Sequence, residues 1–467
     1  MPRRLPAHPA RQGRQRGMAI LIILALIGLG AAYLLVGTLA RTNGQIERDK
    51  ATSAALAQAK EALIGFAAGV PLPGSARPGD LPCPDANNDG IAETSCGNAS
   101  GSTGQALRLG LLPWKTLGLP DLRDGNGERL WYAVSNNFKS NTRTTCSAPG
   151  QPGCLNSDSN GTITVRDSNG NVMFDGTAAT GAVAVVFAAG PALVRQDGQG
   201  QNRACQPCSL LGVCTATPAA NTPRCNPVNY LDNVAAEDNA NFRDGLADGF
   251  IQGPVRNATG TTILNDQLIA ITPNDLMPAI EKRVAGEVRK CLTEYTAKAS
   301  NQRRYPWAAP LNPGTAPSYP DVSGSRFGRI PDTPFANTRT DSGNAMDDSW
   351  TGACNINSSS GWWLNWKEMV FYALADAYKP ASPMTPPNCG ACLVVNPPPA
   401  ADKQAAVFVA GRRLAGISGG QPRTANIDKG NIANYLERRN STPGDDVFER
   451  GAVAPTFNDV AAFAPSP

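Results

Sequence analysis

Oxygen-bearing side chains recur at two-residue steps in one loop: Asp85, Asn87 and Asp89, followed by Gly90 and Glu93. Donors at loop positions 1, 3, 5 and 9 with glycine at position 6 form the front of an EF-hand-like calcium loop. Position 12, which should be a bidentate Glu, is Cys96. Calcium would need another carboxylate, and Asp121, Asp124 or Glu128 in the run DLRDGNGE could supply one. Without a metal, the same residues make two Asp/Asn-Gly turns. No cofactor is required, and a calcium ion held here would be structural, because nothing nearby in sequence can act as nucleophile or acid. The single histidine is His8. The chain beyond it therefore lacks Ser-His-Asp and Cys-His catalysis and imidazole metal ligation. An enzyme is not expected.

Twelve cysteines in a chain read as exported point to disulfides. Neighbours in sequence make Cys83–Cys96, Cys146–Cys154 and Cys291–Cys354 the expected pairs. Cys205, Cys208, Cys214 and Cys225 form a dense group, read either as two short bridges or as a four-thiolate zinc site. Cys389 and Cys392 have redox-motif spacing but lie between proline-rich stretches, which favours a structural bridge.

These residues need a scaffold, and the chain writes its scaffold twice. Val186-Phe187 through Leu193 matches Val407-Phe408 through Leu414. Arg108 with Gly110 matches Arg326 with Gly328, and Trp131-Tyr132-Ala133 matches Phe371-Tyr372-Ala373. Gln201 and Arg203 match Gln421 and Arg423, and Asn229-Tyr230-Leu231 matches Asn434-Tyr435-Leu436. Phe242 matches Phe448, and Asn265-Asp266 matches Asn458-Asp459. Each copy opens on an amphipathic helix: Leu56, Ala59, Leu63 and Phe66 make one apolar stripe, and Ile280, Val284, Val288, Leu292 and Tyr295 make the other. Residues 162–174 read as a hairpin and Ala182–Ala188 as a buried strand. The copies meet near residue 278, and residues 204–226 read as a Cys-rich insertion in the first.

From Gly17 to Leu39 the chain carries no charge, and Arg3, Arg4, Arg11, Arg14 and Arg16 precede it. An apolar run of about 20 residues predicts a transmembrane helix, and basic residues on one flank hold that flank in the cytoplasm. A secretory signal cut near Thr38-Leu39-Ala40 and a permanent anchor are the other readings. Without the leader arginines the chain is close to neutral, which argues against a nucleic-acid partner.

Arg16-Gly17 followed at once by apolar residues resembles the prepilin leader of type IV pilins and type II secretion pseudopilins. The resemblance covers roughly the first fifty residues. It implies that a prepilin peptidase cuts after Gly17 and methylates Met18, and that the N-terminal helix packs against other pilins or pseudopilins. Most of the family carries Glu at the fifth mature position; here it is Ile22, as in the large K-type minor pseudopilin.

The expected fold is α+β: an N-terminal transmembrane helix extended into an amphipathic helix, then two tandem pilin-like modules with antiparallel sheets. The expected domains are a cytoplasmic leader (1–17), a transmembrane helix (18–40), a first module (41–278) and a second (279–467). The expected function is a non-enzymatic minor subunit for assembly or tip of a type IV pilus or type II secretion pseudopilus. It would be single-pass in the inner membrane, with a cytoplasmic N-terminus and a periplasmic C-terminal region. An anchored cell-envelope binding module or adhesin with disulfide-braced heads is the alternative.

Overall fold

A computed structural model describes residues 16–71, 77–97, 106–140, 146, 153–203, 226–312, 318–333, 346, 347, 349, 350, 354, 356, 361–380, 388–397, 400–417, 420–423 and 426–464. Helix α1 (Arg16–Gly69) leads the chain. It is followed by β1 (Leu109–Leu111), β2 (Trp131–Val134), β3 (Val165–Arg166), β4 (Val172–Phe174) and β5 (Ala184–Ala188). Next come β6 (Asn233–Val234), β7 (Glu237–Asp238), β8 (Phe250–Ile251), β9 (Val255–Arg256), β10 (Thr262–Leu264) and β11 (Gln267–Ile271). Helix α2 (Pro273–Thr296) opens the second half, with β12 (Phe327–Arg329), α3 (Gly361–Trp366) and β13 (Val370–Leu374). The chain continues through β14 (Leu393–Asn396), β15 (Ala400–Lys403), β16 (Ala405–Val409), β17 (Val447–Glu449) and β18 (Val460–Ala464).

Two antiparallel four-stranded sheets share one topology: β1-β2-β5-β11 and β12-β13-β16-β18. Their registers coincide. Tyr132 faces Gly110 and Val186, and Tyr372 faces Gly328 and Val407. Both tyrosine hydroxyls donate to a proline carbonyl, Tyr132 to Pro82 and Tyr372 to Pro306. Each half adds a three-stranded sheet with one parallel pair, β4-β3-β8 and β15-β14-β17. These small sheets pack aromatic on aromatic against the large ones: Phe187 meets Phe250 at 4.7 Å and Phe408 meets Phe448 at 4.8 Å. Phe250, rather than Phe242, is therefore the partner of Phe448 in the repeat.

The helices lie between the large sheets. Helix α1 packs on β5 and β11, α2 packs on β16 and β18, and the two helices pack on each other. The sequence of α2 explains its start and its face. Thr272 caps it reciprocally with Asp275, and Pro273 occupies the first turn, where a missing N–H costs nothing. Leu276, Ile280, Val284, Val288 and Leu292 fall at four-residue steps, and all are fully buried. Each such side chain contributes about 1.5–3 kcal/mol. Residue 278 lies inside α2. Lys60 of α1 pairs with Asp275 at 3.0 Å, joining the helices where α2 begins. Where the sequence left Trp362–Tyr378 between a helix and a strand-helix junction, α3 leads into β13.

Two expectations are corrected. Among the described residues no helix is long and apolar enough to cross a membrane, so the transmembrane helix and the single-pass inner-membrane placement do not stand. Farther along, the described side chains of α1 include Glu47, Arg48, Asp49, Lys50, Lys60 and Glu61, and α2 carries Glu281, Lys282, Arg283 and Glu287, so neither of these stretches is apolar. The pilin-type architecture is corrected with it. The described chain is mostly small sheets, six of them, with few helices. This is unlike a spanning N-terminal helix followed by pilin modules.

Candidate functional site

The acidic loop hangs from the edge of the first sheet. Asp85 exchanges backbone hydrogen bonds with Leu111, and the Cys83–Cys96 disulfide closes the loop around it. Its carboxylate, 1% exposed, accepts from the N–H groups of Asn87, Asn88 and Gly90. Asn87 accepts from Asp89 N–H, Asp89 from Ile91 N–H, and Glu93 from Ala86 N–H. Burial pushes the Asp85 and Glu93 carboxyls up, and neighbouring acids add to it. The structure brings these four residues together but does not complete them with Asp121 and Asp124. Arg129 stands between the loop and Asp121, donating to Asn88 and to Asp121. Asp124 turns away to accept from the N–H groups of Asn126, Glu128 and Gly190. Among the described residues, no three acidic, cysteine or histidine ligands gather for a metal ion.

Four disulfides are present: Cys83–Cys96, Cys146–Cys154, Cys291–Cys354 and Cys389–Cys392. Cys205, Cys208, Cys214 and Cys225 lie outside the described residues. Gly17 and Met18 fall in the first turn of α1.

A polar centre recurs beneath each large sheet. In the first half, the Gln201 amide donates to Asp232 Oδ1, and the Asp232 backbone N–H and the Asn239 side-chain amide both donate to Asp266 Oδ2, at 2.7 and 2.9 Å. In the second, the Gln421 amide donates to Glu437 Oε1, and the Glu437 backbone N–H and the Asn440 side-chain amide donate to Asp459 Oδ2, at 2.9 and 3.0 Å. An arginine gathers the surrounding loops in each. Arg203 donates to the carbonyls of Gly190, Asn229 and Tyr230, and Arg423 to those of Gly411, Asn434 and Tyr435. Each guanidinium lies over a tyrosine ring, Tyr230 at 5.0 Å and Tyr435 at 4.8 Å. Burial, and then the charge of Asp232, push Asp266 well above the carboxylate range; burial and then Glu437 do the same to Asp459. Asp266 Oδ2 and Asp459 Oδ2 each tie loops of their own half together.

Beside each centre a cavity opens at the matching place. Its walls are the inner helix, the loop after the central strand, and the Asn that precedes the buried Asp. The first cavity, about 380 Å³, is lined by Arg48, Asp49 and Thr52 of α1, with Pro191, Leu193 and Asn265. The second, about 590 Å³, is lined by Met277, Pro278 and Glu281 of α2, with Arg412, Leu414 and Asn458. Thr52 is satisfied: it donates to Arg48 O and accepts from Gly125 N–H. Gly125 must be glycine, because a Cβ there would lie 2.2 Å from the Arg48 carbonyl oxygen. Glu281, at the corresponding place, is 3% exposed, and its Oε1 has no hydrogen-bond partner among the described residues. Burial pushes its carboxyl up to about 7, against the pull of the Ser157 hydroxyl and of Arg412 and Arg423.

Sequence reasoning placed Glu281 on no site. Its one signal was a charge among the apolar steps of a buried helix stripe, four residues before Ala285. No protein-family model matches this chain, and neither a curated protein nor a solved structure does.

Proposed function

We propose that this chain is a non-enzymatic assembly subunit, a minor component of a type IV pilus or type II secretion pseudopilus, whose N-terminus is processed by a prepilin peptidase. The observation that carries this reading is on α1. Leu24, Leu26, Ile27 and Leu29 are 59–69% exposed and Tyr33 is 80% exposed. A helix with that much uncovered apolar surface needs another apolar surface against it, and helices of other subunits are the partner this reading supplies. Arg16-Gly17 and the apolar residues after it support the processing step.

The test is the mass and N-terminal sequence of the protein from cells with and without the prepilin peptidase. A peptidase-dependent start at N-methylated Met18 is expected. A start at Met1 in both strains would overturn the reading.

A binding module of the cell envelope is the second reading. The cavity of about 590 Å³ beside Glu281 favours it, being of ligand-binding size.

A further inference from the structure

Lys367 and Asp332 form an ion pair in direct contact, and both side chains are wholly buried. The second sheet puts them there. In the antiparallel ladder of β12 and β13, Arg329 faces Phe371. Carried three residues past the strand ends, that register sets Asp332 abreast of Glu368 and next to Lys367. Asp332 Oδ1 accepts from the Tyr319 N–H at 2.6 Å and from the Thr333 hydroxyl at 3.0 Å. Its Oδ2 faces Lys367 Nζ. The centroid of the Tyr319 ring lies 4.3 Å from that nitrogen. Burial pushes the Lys367 ammonium down, toward the neutral amine, against the pull of Asp332. The neighbouring acid, Glu368, is engaged by Lys429 and by the Tyr435 hydroxyl.

The first sheet does without such a pair. Leu111 faces Trp131 in its ladder, so the places of Asp332 and Lys367 fall to Trp114 and Gly127. Taking two charges wholly out of water is expensive even when they are paired. An amide in their place carries no charge, and its carbonyl oxygen keeps the two donors that Oδ1 already has. An amine and a carboxyl held in contact also react at effective concentrations far above any in solution.

We propose that Lys367 Nζ and Asp332 Cγ are joined by an amide bond that forms within the folded chain. The Lys367 ammonium passes a proton to Asp332 Oδ2 across their contact, leaving an amine and a carboxylic acid. The amine lone pair attacks Cγ. The negative charge that develops on Oδ1 meets the Tyr319 N–H and the Thr333 hydroxyl, which already point at it. Oδ2 leaves as water, with the proton it received and a second one from the nitrogen, and one N–H remains on the amide. No oxidant or other reactant is consumed. The link ties the segment after β12 to the segment before β13, so the two strands stay joined at that end when their ladder opens. The site stands apart from N-terminal processing, and its test does not depend on that reading.

The full chain is purified, its disulfides are reduced, and its tryptic peptides are weighed by mass spectrometry. The peptide carrying Asp332 is expected to be joined to the one carrying Lys367, with no cleavage after Lys367 and a mass one water below the sum of the two. Lys367→Met and Asp332→Ala are each expected to remove the linked species. Asp332→Asn keeps the shape of the site and is expected to give the same linked species, expelling ammonia in place of water. Recovery of the two peptides unlinked from the unmutated chain, with cleavage after Lys367, would overturn the proposal and leave an ordinary ion pair. So would a loss of water that persists in Lys367→Met, which places the loss elsewhere, as in a succinimide at Asp124-Gly125. The unmutated chain decides between link and ion pair by itself, so a variant that fails to fold leaves the answer intact.

Discussion

The two halves solve one problem with different means. Each must neutralise an arginine that holds three loop carbonyls beneath its sheet. In the first half the acid beside Arg203 is Glu128, 3.7 Å away and from the same half. In the second half the acid beside Arg423 is Asp158, at 3.1 Å, and it comes from the first half. The loop that carries Asp158 crosses over as a unit. Ser157 donates to Ala410 O, Leu155 N–H donates to Asn365, and Arg412 clasps Ser157, Ser159 and Asn160. The Cys146–Cys154 disulfide fixes the start of that loop. The comparison teaches that a duplicated architecture need not duplicate its contacts: the first half completes its centre in place, and the second completes its centre with a borrowed loop.

The largest expected effect breaks this comparison directly. Arg423→Met leaves Asp158 and three buried carbonyls without their partner and is expected to cost about 3–5 kcal/mol. Arg203→Met removes a longer, partly exposed pair and is expected to cost clearly less. Equal shifts in urea midpoints would show that the two centres are energetically alike. The disulfides sharpen the contrast next. On loop-closure entropy, Cys291–Cys354, spanning 63 residues, contributes about 4 kcal/mol, and Cys83–Cys96, spanning 13, about 3 kcal/mol. Paired serine variants measured by urea unfolding are expected to fall in that order.

Third is pH. The Glu281 carboxyl is raised on folding, so the folded chain holds a proton that the unfolded chain releases. The associated stability is present below the ordinary Glu range near 4.5 and is lost as pH rises to about 7, a decline of about 3 kcal/mol. Glu281→Gln is expected to flatten that part of the stability profile, and an unchanged slope would remove Glu281 as its source. Smallest is Thr52→Val, at the matching place in α1. It takes the acceptor from Gly125 N–H, for about 1 kcal/mol and no change in pH dependence.

What could be read from the sequence was what repeats in kind. Tyr132 and Tyr372, Phe187 and Phe408, and Arg203 and Arg423 occupy matching positions because the same side chain meets the same neighbour in both sheets. The cysteine pairs close in sequence were visible for a simpler reason: few residues separate Cys83 from Cys96 or Cys146 from Cys154. The failures have physical causes. Phe242 was matched with Phe448 in place of Phe250, because the β6-β7 hairpin and the turn after it lengthen the first half between Tyr230 and its small sheet. Asp121 and Asp124 sit close to the acidic loop, but Arg129 intervenes, and a sequence does not show which cation reaches a carboxylate first. Thr52 and Glu281 share a place and no chemistry, so no comparison of letters could join them. The transmembrane reading came from the apolar run after Arg16, whereas the later part of the same helix is amphipathic and rests the stripe of Leu56, Ala59 and Leu63 on the first sheet.

The crossing of the Asp158 loop also sets an order in time. Synthesis runs from the N-terminus, so residues 153–160 emerge first, then Gln201, Arg203, Asp232, Asn239 and Asp266 of the first polar centre, all ahead of the second half. Arg412, Arg413 and Arg423 emerge some 250 residues later and meet a surface already in place. A chain interrupted before Arg412 keeps its first centre whole; a second half made alone lacks the acid that Arg423 needs.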